Sequence, residues 1–472
     1  MGPNMKRTPD GLSCAPRALL AAVIASNLAC APESDGPIRE GERDLFTLYV
    51  LGGSTALGEP YHPRADFWRI ASWFLGGEIA GRPIEVVNRG GAGKPSADVV
   101  EDARALAAAP PAPGTAAALL YLGNNEFLRF DERHDLERNE RALFDAPLLA
   151  PVARATVLET YAKNIAAIFE ALQGAGIPFV ASTVAVNLKD WDPNRSVLAD
   201  PTHEPVMKRL LARCEEARAA GRNEEALATF REALALEPTF ALAAKYAGDC
   251  ARLLGRFDDA RTYYQAAVDH DGNPYRETGE QNRILRAACE RFRAPCIDAV
   301  ALLESSTSDG LIGFERMWDN CHPTLEGYAR IALGYVEALE AAVGAKHARE
   351  LDLPALERAL GIDDVFRSQV LGTRGQYCYV SSELTYDPAF RLERAQLYLA
   401  EGMTLAPRSA DLVCSHAILL ALKKDSAGSL GEWRRAQELD PEVTRQRLRL
   451  PQVQTILQRC GVEVSPRRRP GG

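Results

Sequence analysis

The sequence has few cysteines and no arrangement of residues typical of a metal site. Its ten cysteines are spread over 472 residues, and they form neither a C-x-x-C pair nor a ligand cluster with histidine. Zinc sites and disulfide-rich scaffolds both depend on such spacings. We therefore expect no structural metal and no disulfide framework.

An excess of positive charge is also missing. Lysine and arginine number 55 against 64 aspartates and glutamates, which gives a formal net charge of −9. Nucleic-acid binding generally needs a basic surface, so nucleic acid is not an expected partner.

Hydrophobic residues make up 46% of the chain, close to the globular average. At roughly 100 to 200 residues per domain, the length suggests two to four domains.

Apolar runs long enough to span a membrane are absent as well. The one candidate, Ala18–Ala29, has 12 residues, whereas a membrane-spanning helix needs about 20. It follows Lys6 and Arg7 and precedes a polar segment, an order that predicts a secretory signal over residues 1–30 and a linker over 31–44. We expect an exported protein of the bacterial cell envelope.

The end of this segment bears on membrane attachment. Leu28, Ala29 and Cys30 resemble the end of a bacterial lipoprotein signal, in which the cysteine is lipidated after cleavage. Asn27 stands where an aliphatic residue is usual. Attachment through a lipidated Cys30 and ordinary secretion into the periplasm therefore both remain open.

Strand and helix patterns alternate over much of the chain. Short β-rich apolar runs predict five strands, at Leu45–Leu51, Ile84–Val87, Ala116–Leu122, Pro178–Val186 and Cys296–Leu302. Helical patterns predict helices at Asp66–Ala80, Ser96–Ala108, Val157–Leu172 and Leu325–Ala342. This alternation is typical of a parallel sheet with helices on both faces. The predicted fold class is α/β, formed by residues 45–202 and 277–345.

The segment between these two parts, residues 203–276, contains an internal repeat. Its small and aromatic residues Gly221, Ala226, Phe230 and Ala233 recur 34 residues later as Gly255, Ala260, Tyr264 and Ala267. This period is typical of tetratricopeptide repeats, in which small residues let paired helices approach closely. Two repeats are fewer than the three or so that usually form a stable array, so we expect another surface to cover their ends.

Residues 346–472 are predicted to form a second helical region. Pro407 and Pro441 are again 34 residues apart, and each follows an amphipathic run, although the small residues are poorly kept. We predict tetratricopeptide-like helices here. A disordered tail that contains Arg467, Arg468 and Arg469 is expected to follow them.

Polar or glycine-rich turns follow the first three predicted strands. Ser54 comes directly after Gly52 and Gly53, Asn88–Gly93 follows the second strand, and Gly123–Glu126 follows the third. The carboxyl ends of parallel strands meet at one sheet edge, where α/β proteins bind ligands. Glycine amides and an asparagine side chain could hold an oxyanion there. Each turn alone could also be a plain strand terminator.

Asp319 and His322 lie in a turn between the fifth predicted strand and the last predicted helix of the α/β part. At this spacing the carboxylate can contact one imidazole nitrogen, which leaves the other to take a proton from a serine hydroxyl. A lone histidine in a polar loop is usually a surface residue. Here it supplies the base that a serine nucleophile requires.

These four blocks together resemble the SGNH hydrolases, the GDSL-type esterase and lipase superfamily. The resemblance covers about residues 45–345, apart from the repeat segment, and implies a flavodoxin-like, three-layer α/β/α fold. It also implies that Ser54 is the nucleophile, that His322 is the general base and that Asp319 orients the histidine. No cofactor is implied, and no metal.

The resemblance extends to the groups that would hold the oxyanion, and it has two departures. It implies that the amides of Ser54 and Gly93 and the side chain of Asn125 are the donors; Gly93 is matched because the family's glycine lies five residues after an asparagine such as Asn88. Gly53 and Glu126 replace the aspartates that are usual beside the serine and the asparagine. Both variants resemble those of a bacterial subgroup that joins this hydrolase to tetratricopeptide repeats.

Three local features of the sequence have other interpretations. The stretch Gly90–Ser96 looks like a phosphate-binding loop, but Asn88 replaces its first glycine and Pro95 follows the lysine where a serine or threonine is needed. Cys321 has no separate base, so a packing role is favoured over a cysteine nucleophile. Trp318 could line the substrate cleft or cap the core.

The resemblance implies a serine hydrolase that cleaves carboxylic esters, acyl or acetyl, through an acyl-enzyme. The expected substrates are small-molecule esters or esters on a cell-envelope glycan or lipid. The repeats would bind a protein partner or cover the substrate site. Two alternatives remain open: an acyltransferase that uses the same site, and an inactive repeat-bearing scaffold.

Overall fold

The computed structural model describes residues 44–128, 151–382, 385 and 388–464. The chain divides into two compact units, one over Pro32–Asp363 and the other including Asp364–Gly472. The predicted secretory signal, Cys30 and the arginine-containing tail lie outside the described residues. None of the described helices is long and apolar enough to cross a membrane.

The first unit is built on a six-stranded sheet. Its strands are β1 (Phe46–Gly52), β2 (Glu78–Ile79), β3 (Arg82–Asn88), β4 (Ala116–Tyr121), β5 (Phe179–Ser182) and β6 (Cys296–Ile297). The sheet order is β2-β3-β1-β4-β5-β6, and only β2 runs antiparallel to its neighbour among these strands. Apart from β2, this is a doubly wound order whose switch point, the usual place for a ligand, lies between β1 and β4.

The helices of the first unit include short connecting helices, long helices that cover the sheet and the helices of the repeat segment. In chain order they are α1 (Ser54–Leu57), α2 (Phe67–Phe74), α3 (Ser96–Ala108), α4 (Pro151–Gly174), α5 (Glu204–Ala219), α6 (Asn223–Leu236), α7 (Ala241–Leu253), α8 (Phe257–Asp269), α9 (Gly279–Phe292), α10 (Ala299–Glu304), α11 (Leu325–Val343) and α12 (Leu353–Ala359).

Helices cover both faces of the sheet. On one face, Leu120 of β4 packs in a core with side chains of α3, α4 and α9, among them Val99, Ile165 and Leu285. On the other face, the hydroxyl of Tyr335 in α11 donates to the carbonyl of Leu120 at 2.6 Å. The Tyr335 ring also stacks on Phe67 of α2, with 5.2 Å between the ring centres. The prediction of an α/β sheet covered on both sides is confirmed at this level.

Several predicted elements have other bounds in the structure. The predicted strand Cys296–Leu302 is wrong beyond Ile297, because the Asp298 carboxylate accepts from the Ala301 amide and begins α10. β5 ends at Ser182 rather than Val186. The predicted helix Asp66–Ala80 stops at Phe74, since glycines with positive φ follow it and lead into β2, an edge strand that the sequence pattern did not indicate.

The repeat segment forms four helices, α5 to α8, that pack in succession around one apolar core. Gly221 and Gly255, one period apart, have φ of +72° and +73° in the turns that follow α5 and α7. A Cβ atom on Gly248 of α7 would lie 2.7 Å from the Tyr264 ring of α8. Glycine at this position therefore permits the close helix contact that the repeat pattern predicts.

Buried polar contacts attach the repeat segment to the chain around residues 192–200. The carboxylate of Asp271, after α8, accepts from the amides of Asn194 and Arg195 at 2.8 and 3.0 Å. Lys245 of α7 lies 3.4 Å from the carboxylate of Asp192. Because these groups are buried, the attachment is a packed interface rather than a flexible tether.

The second unit is helical over its described residues. Its helices are α13 (Asp364–Ser381), α14 (Ala389–Leu405), α15 (Ala410–Leu422), α16 (Ser426–Leu439), α17 (Pro441–Arg449) and α18 (Pro451–Arg459), and each packs on the next. The helical character predicted for residues 346–472 agrees with this. The first unit ends at Asp363 and includes α12.

Candidate active site

Three turns at the carboxyl edge of the sheet pack directly against one another. Gly52 ends β1 with φ of +154°, and a Cβ atom there would lie 1.9 Å from the carbonyl oxygen of Tyr121, at the end of β4. A Cβ on Gly53 would lie 2.6 Å from Nδ2 of Asn125. The Gly91 amide donates to the carbonyl of Gly52 at 3.2 Å. The turns after β1, β3 and β4 therefore form one packed edge at the switch point.

Gly53 packs closely against the side chain of Asn125. A Cβ atom at this position would lie 2.6 Å from Nδ2 of Asn125, so the Asn125 side chain would have to shift to admit any other residue. Glycine instead lets the segment before Ser54 approach Asn125 closely.

Ser54, His322 and Asp319 form a hydrogen-bonded chain. Oγ of Ser54, the first residue of α1, lies 2.9 Å from Nε2 of His322. Nδ1 of the same imidazole lies 2.9 Å from Oδ2 of Asp319 and 3.0 Å from its Oδ1. The structure therefore brings together three side chains that the sequence separates by up to 268 positions. A hydroxyl, an imidazole and a carboxylate in this order can pass a proton from the serine to the histidine.

The turn around His322 is fixed by the same aspartate. Oδ1 of Asp319 accepts from the backbone amides of Cys321 and His322 at 3.0 and 2.9 Å. Asp319 is fully buried, and Ser54 and His322 are each 8% exposed. Three hydrogen bonds to one carboxylate in a dry setting hold the imidazole in one orientation.

The environment of His322 raises its pKa above the ordinary value of 6.5. Burial alone would lower the pKa, but the negative charge of Asp319 and the hydrogen bond to its carboxylate outweigh burial and favour the protonated ring. A histidine with a raised pKa is a stronger base towards a serine hydroxyl. Asp319 therefore affects both the orientation and the basicity of His322.

Asn125 and the turn that contains Gly93 lie next to Gly53, the residue before Ser54. Asn125 is 6% exposed, and its Nδ2 donates to the carbonyl of Lys94 at 3.1 Å. An asparagine amide carries two hydrogens, so this bond uses one of them. Gly93 is buried in the turn before α3, with φ of +68°. The Lys94 carbonyl that follows it lies 3.4 Å from the position of a Cβ on Gly53, so the turn that contains Gly93 contacts the turn before Ser54.

Two further side chains support these turns. Oδ1 of Asn88 accepts from the Gly90 amide at 2.8 Å, and its Nδ2 donates to the carbonyl of Leu57 at 3.2 Å. Glu126 accepts from the backbone amide of Ser96 at 2.8 Å and from its hydroxyl at 2.6 Å, at the first turn of α3. Burial raises the pKa of Glu126 to about 7, while the hydrogen bonds from Ser96 act in the opposite direction. The glutamate thus ties the Asn125 turn to α3.

Residues without a predicted role link the Ser54 turn, the His322 turn and the Asn125 turn. The hydroxyl of Thr55 donates to the Cys321 carbonyl at 3.3 Å and accepts from Nδ2 of Asn124 at 3.5 Å. Gln281 donates from Nε2 to the carbonyl of Gly123 at 2.7 Å. One local signal was present, since Thr278 and Gln281 form a capping box with T-x-x-Q spacing at the start of α9. That pattern predicts a helix start but not the contact with the site.

The alternatives for Cys321 and for a metal can be judged from the same geometry. Sγ of Cys321 lies 3.8 Å from Nδ1 of His322, on the side of the ring that contacts Asp319. Cys321, Asp319 and His322 could in principle supply metal ligands, because one atom from each lies within 4.8 Å of the others. The imidazole and the carboxylate are hydrogen-bonded to each other, however, and the other ring nitrogen contacts Ser54. This donor set therefore favours proton transfer over metal binding.

The lysine of the possible phosphate-binding loop, Lys94, contacts nearby protein groups. Nζ of Lys94 forms an ion pair with Asp102 of α3 and donates to the carbonyl of Arg89.

Trp318 is half-buried next to Asp319, and its indole nitrogen donates to the hydroxyl of Tyr61 at 2.8 Å. The indole therefore connects the histidine turn to Tyr61.

Comparison with known proteins identifies the repeat segment most clearly. A tetratricopeptide repeat family model matches residues 217–277, which lie within α5 to α8 and the segment that follows. No curated protein matches the chain in sequence. This segment is thus similar to tetratricopeptide repeats, and the match covers the region where the 34-residue period predicts them.

Solved structures of two kinds resemble parts of the chain. A GDSL-like lipase from Bacteroides thetaiotaomicron is 12% identical, with 68% of this chain and 98% of the lipase covered and a TM-score of 0.31. TesA is 14% identical, with 63% and 99% covered and a TM-score of 0.28. YrrB, a TPR protein described with an unusual peptide-binding site, is 15% identical, with 50% and 89% covered and a TM-score of 0.15. At these low scores, any inference about activity has to rest on the geometry of the site.

Proposed function

We propose that this protein is a serine hydrolase of the SGNH type that cleaves carboxylic esters through an acyl-enzyme. The observation that supports the proposal is the buried chain from Oγ of Ser54 through His322 to Asp319, with distances of 2.9 Å at both steps. Each distance is within the hydrogen-bond reach that a nucleophile and its base require. The packed turns beside Ser54 support the same conclusion.

In the proposed cycle, His322 removes the hydroxyl proton as Oγ of Ser54 attacks the ester carbonyl carbon. The oxyanion that forms is held by the amides of Ser54 and Gly93 and by Nδ2 of Asn125, which keeps one hydrogen for this purpose. His322 then gives its proton to the leaving alcohol, and the acyl group stays on Ser54. Water, deprotonated by His322, then attacks the carbonyl carbon of the acyl-enzyme. His322 returns this proton to Oγ of Ser54 as the bond to the acyl group breaks, and the carboxylic acid is released.

Substitution of Ser54 by alanine tests the proposal. We expect the wild-type protein to hydrolyse p-nitrophenyl acetate and to react with a fluorophosphonate probe, and the Ser54→Ala protein to do neither. The thermal unfolding midpoint should stay nearly unchanged, because the substitution removes one hydroxyl from a folded turn. Turnover that persists in Ser54→Ala would contradict the proposal, and a folded wild-type protein that the probe does not label would favour the inactive scaffold.

The repeats and the N-terminus bear on what the protein binds and where it acts. A family match over residues 217–277 supports a role in binding a protein partner or covering the substrate site. The leader sequence supports export, with lipidation at Cys30 as one route to the membrane. Retention of a radioactive fatty acid by the wild-type protein, and its loss in Cys30→Ala, is the result that lipidation requires. An envelope ester is then the substrate class that this location favours.

A further inference from the structure

One short segment contacts two of the turns that form the candidate site. We call residues 275–281 the exit segment. They follow the last repeat helix, α8, and run into the first turn of α9. The backbone amide of Glu277 donates to Oδ1 of Asn124 at 3.0 Å, and Nε2 of Gln281 donates to the carbonyl of Gly123 at 2.7 Å. Both bonds fix the turn that carries Asn125.

The other end of the exit segment contacts the histidine turn. Nδ2 of Asn320, which lies between Asp319 and His322, donates to the carbonyl of Tyr275. The guanidinium of Arg276 donates to the carbonyl of Asn187 at 2.6 Å, and the amide of Asn187 donates to the carbonyl of Asn320 at 2.9 Å. Thus the same seven residues are bonded to the turn that holds the base and to the turn that holds the amide donor.

The side chain of Glu277 is buried and packs closely against the Gly123–Asn125 turn. It is 1% exposed, and its Oε2 lies 1.8 Å from the position of a Cβ on Gly123, so only glycine at residue 123 leaves room for it. Oε1 accepts from the hydroxyl of Tyr161 at 3.4 Å, and Oε2 has no hydrogen-bond partner among the described residues. A buried carboxyl group in this position determines how close the Gly123–Asn125 turn can come to the exit segment.

We propose that the exit segment is a positioning element of the active site, in which Glu277 and Gln281 hold Asn125 in register with Ser54 and His322. The repeat segment is then fixed to the chemistry through its last connection rather than added to a self-sufficient hydrolase. This inference rests on the proposed function. It adds two positioning residues, neither of which contacts the reacting atoms.

The carboxyl group of Glu277 is expected to act in its neutral form. Burial, followed by the nearby charge of Glu126, raises its pKa well above the ordinary value of 4.5. A neutral amide of the same shape should therefore replace it with little loss. This makes Glu277→Gln a conservative variant against which truncation to alanine can be judged.

The test compares four variants in the full chain, assayed with p-nitrophenyl acetate well below their unfolding midpoints. We expect Glu277→Ala and Gln281→Ala to lower kcat on the order of 10- to 100-fold with KM changed less than about 2-fold, because a misplaced oxyanion donor affects the transition state more than substrate binding. Glu277→Gln should stay within about 3-fold of the wild-type kcat. The control Glu237→Ala removes an equally buried carboxylate that bonds to the Ala199 amide, so it should lower stability but not kcat.

Three results would overturn the inference. In the first, kcat of both Glu277→Ala and Gln281→Ala stays within 2-fold of the wild type. In the second, the control Glu237→Ala loses as much kcat as these two variants. In the third, kcat of Glu277→Gln is as low as that of Glu277→Ala. Each of these leaves the proposed function intact if the wild-type turnover depends on Ser54. If the wild-type protein shows no Ser54-dependent turnover, the proposed function fails and the inference with it.

Discussion

The position of Ser54 depends on the absence of side chains at the two residues before it. Gly52 and Gly53 have no Cβ atoms, so the end of β1 can approach the carbonyl of Tyr121 and the amide of Asn125. The serine then begins α1 with its hydroxyl against His322. The sequence indicated a glycine turn followed by serine, but the reason for two glycines lies in contacts with residues 121 and 125, which no local pattern shows.

At the scale of single residues, the pKa of His322 leads to a prediction about pH. In the proposed cycle His322 acts as the base and must be neutral, and its pKa lies above 6.5. Activity should therefore be low in acid and rise with pH, with the midpoint of the rising limb of kcat/KM above pH 6.5. The direction follows from the raised pKa. As the pH falls, a base with a higher pKa becomes protonated at a higher pH, and activity is lost there.

Asp319→Asn separates the two effects of the aspartate. Asparagine keeps the size of the side chain but removes the charge that raises the pKa of His322, so burial should bring that pKa down. We expect the rising limb to move to lower pH, while the plateau rate falls on the order of 10²- to 10⁴-fold. A pH profile of kcat/KM on p-nitrophenyl acetate measures both. A limb that stays in place would show that His322 is not the group that titrates.

At the scale of helices and strands, the sequence predicted those elements that end at local signals. The bounds of α3 agree with prediction at both ends, and β1, β3 and β4 lie within a few residues of it. Errors arose where a polar residue changed the local geometry within an apolar run, as Asp298 does by capping α10. The edge strand β2, with two residues, is too short for its alternation to be recognised.

The contacts that support the candidate site were the hardest to predict. Gln281 and Gly123 are 158 positions apart, and Glu277 and Asn124 are 153 apart. Hydrogen bonds between such distant residues leave no periodic pattern in one sequence. Ser54, Asp319 and His322 could be proposed because serine, carboxylate and imidazole have chemical roles that are recognised together, whereas a supporting glutamine has none of its own.

A prediction for the repeat helices follows from Gly248. A methyl group at this position would meet the buried ring of Tyr264 at 2.7 Å, so we expect Gly248→Ala to reduce the free energy of unfolding by about 1–3 kcal/mol. Gly431 in α16 is the matched control, because no atom lies within 4 Å of a Cβ added there. Gly431→Ala should stabilise its helix by about 0.5–1 kcal/mol. Denaturant titration of both variants measures the difference in sign, and equal shifts would contradict the close helix contact.

At the scale of the whole molecule, the two compact units differ in what they contribute to the proposed chemistry. Ser54, Gly93, Asn125, Asp319 and His322 all belong to the unit Pro32–Asp363. The exit segment belongs to it as well, and the repeat helices are attached within it through Asp271 and Lys245. The repeat segment is therefore part of the unit that contains the candidate site, whereas helices α13 to α18 belong to the other unit.

This division predicts that a chain ending at Asp363 keeps its ester hydrolysis. Each hydrogen bond described for the site joins residues of the first unit, so removal of residues 364–472 leaves all of them in place. We expect kcat/KM on p-nitrophenyl acetate within about 3-fold of the full chain, and its complete loss when Ser54→Ala is introduced into the shortened protein. Circular dichroism establishes that the shortened chain is folded. A folded chain without turnover would show that the second unit supplies a group that the site needs, and would shift the search for that group to helices α13 to α18.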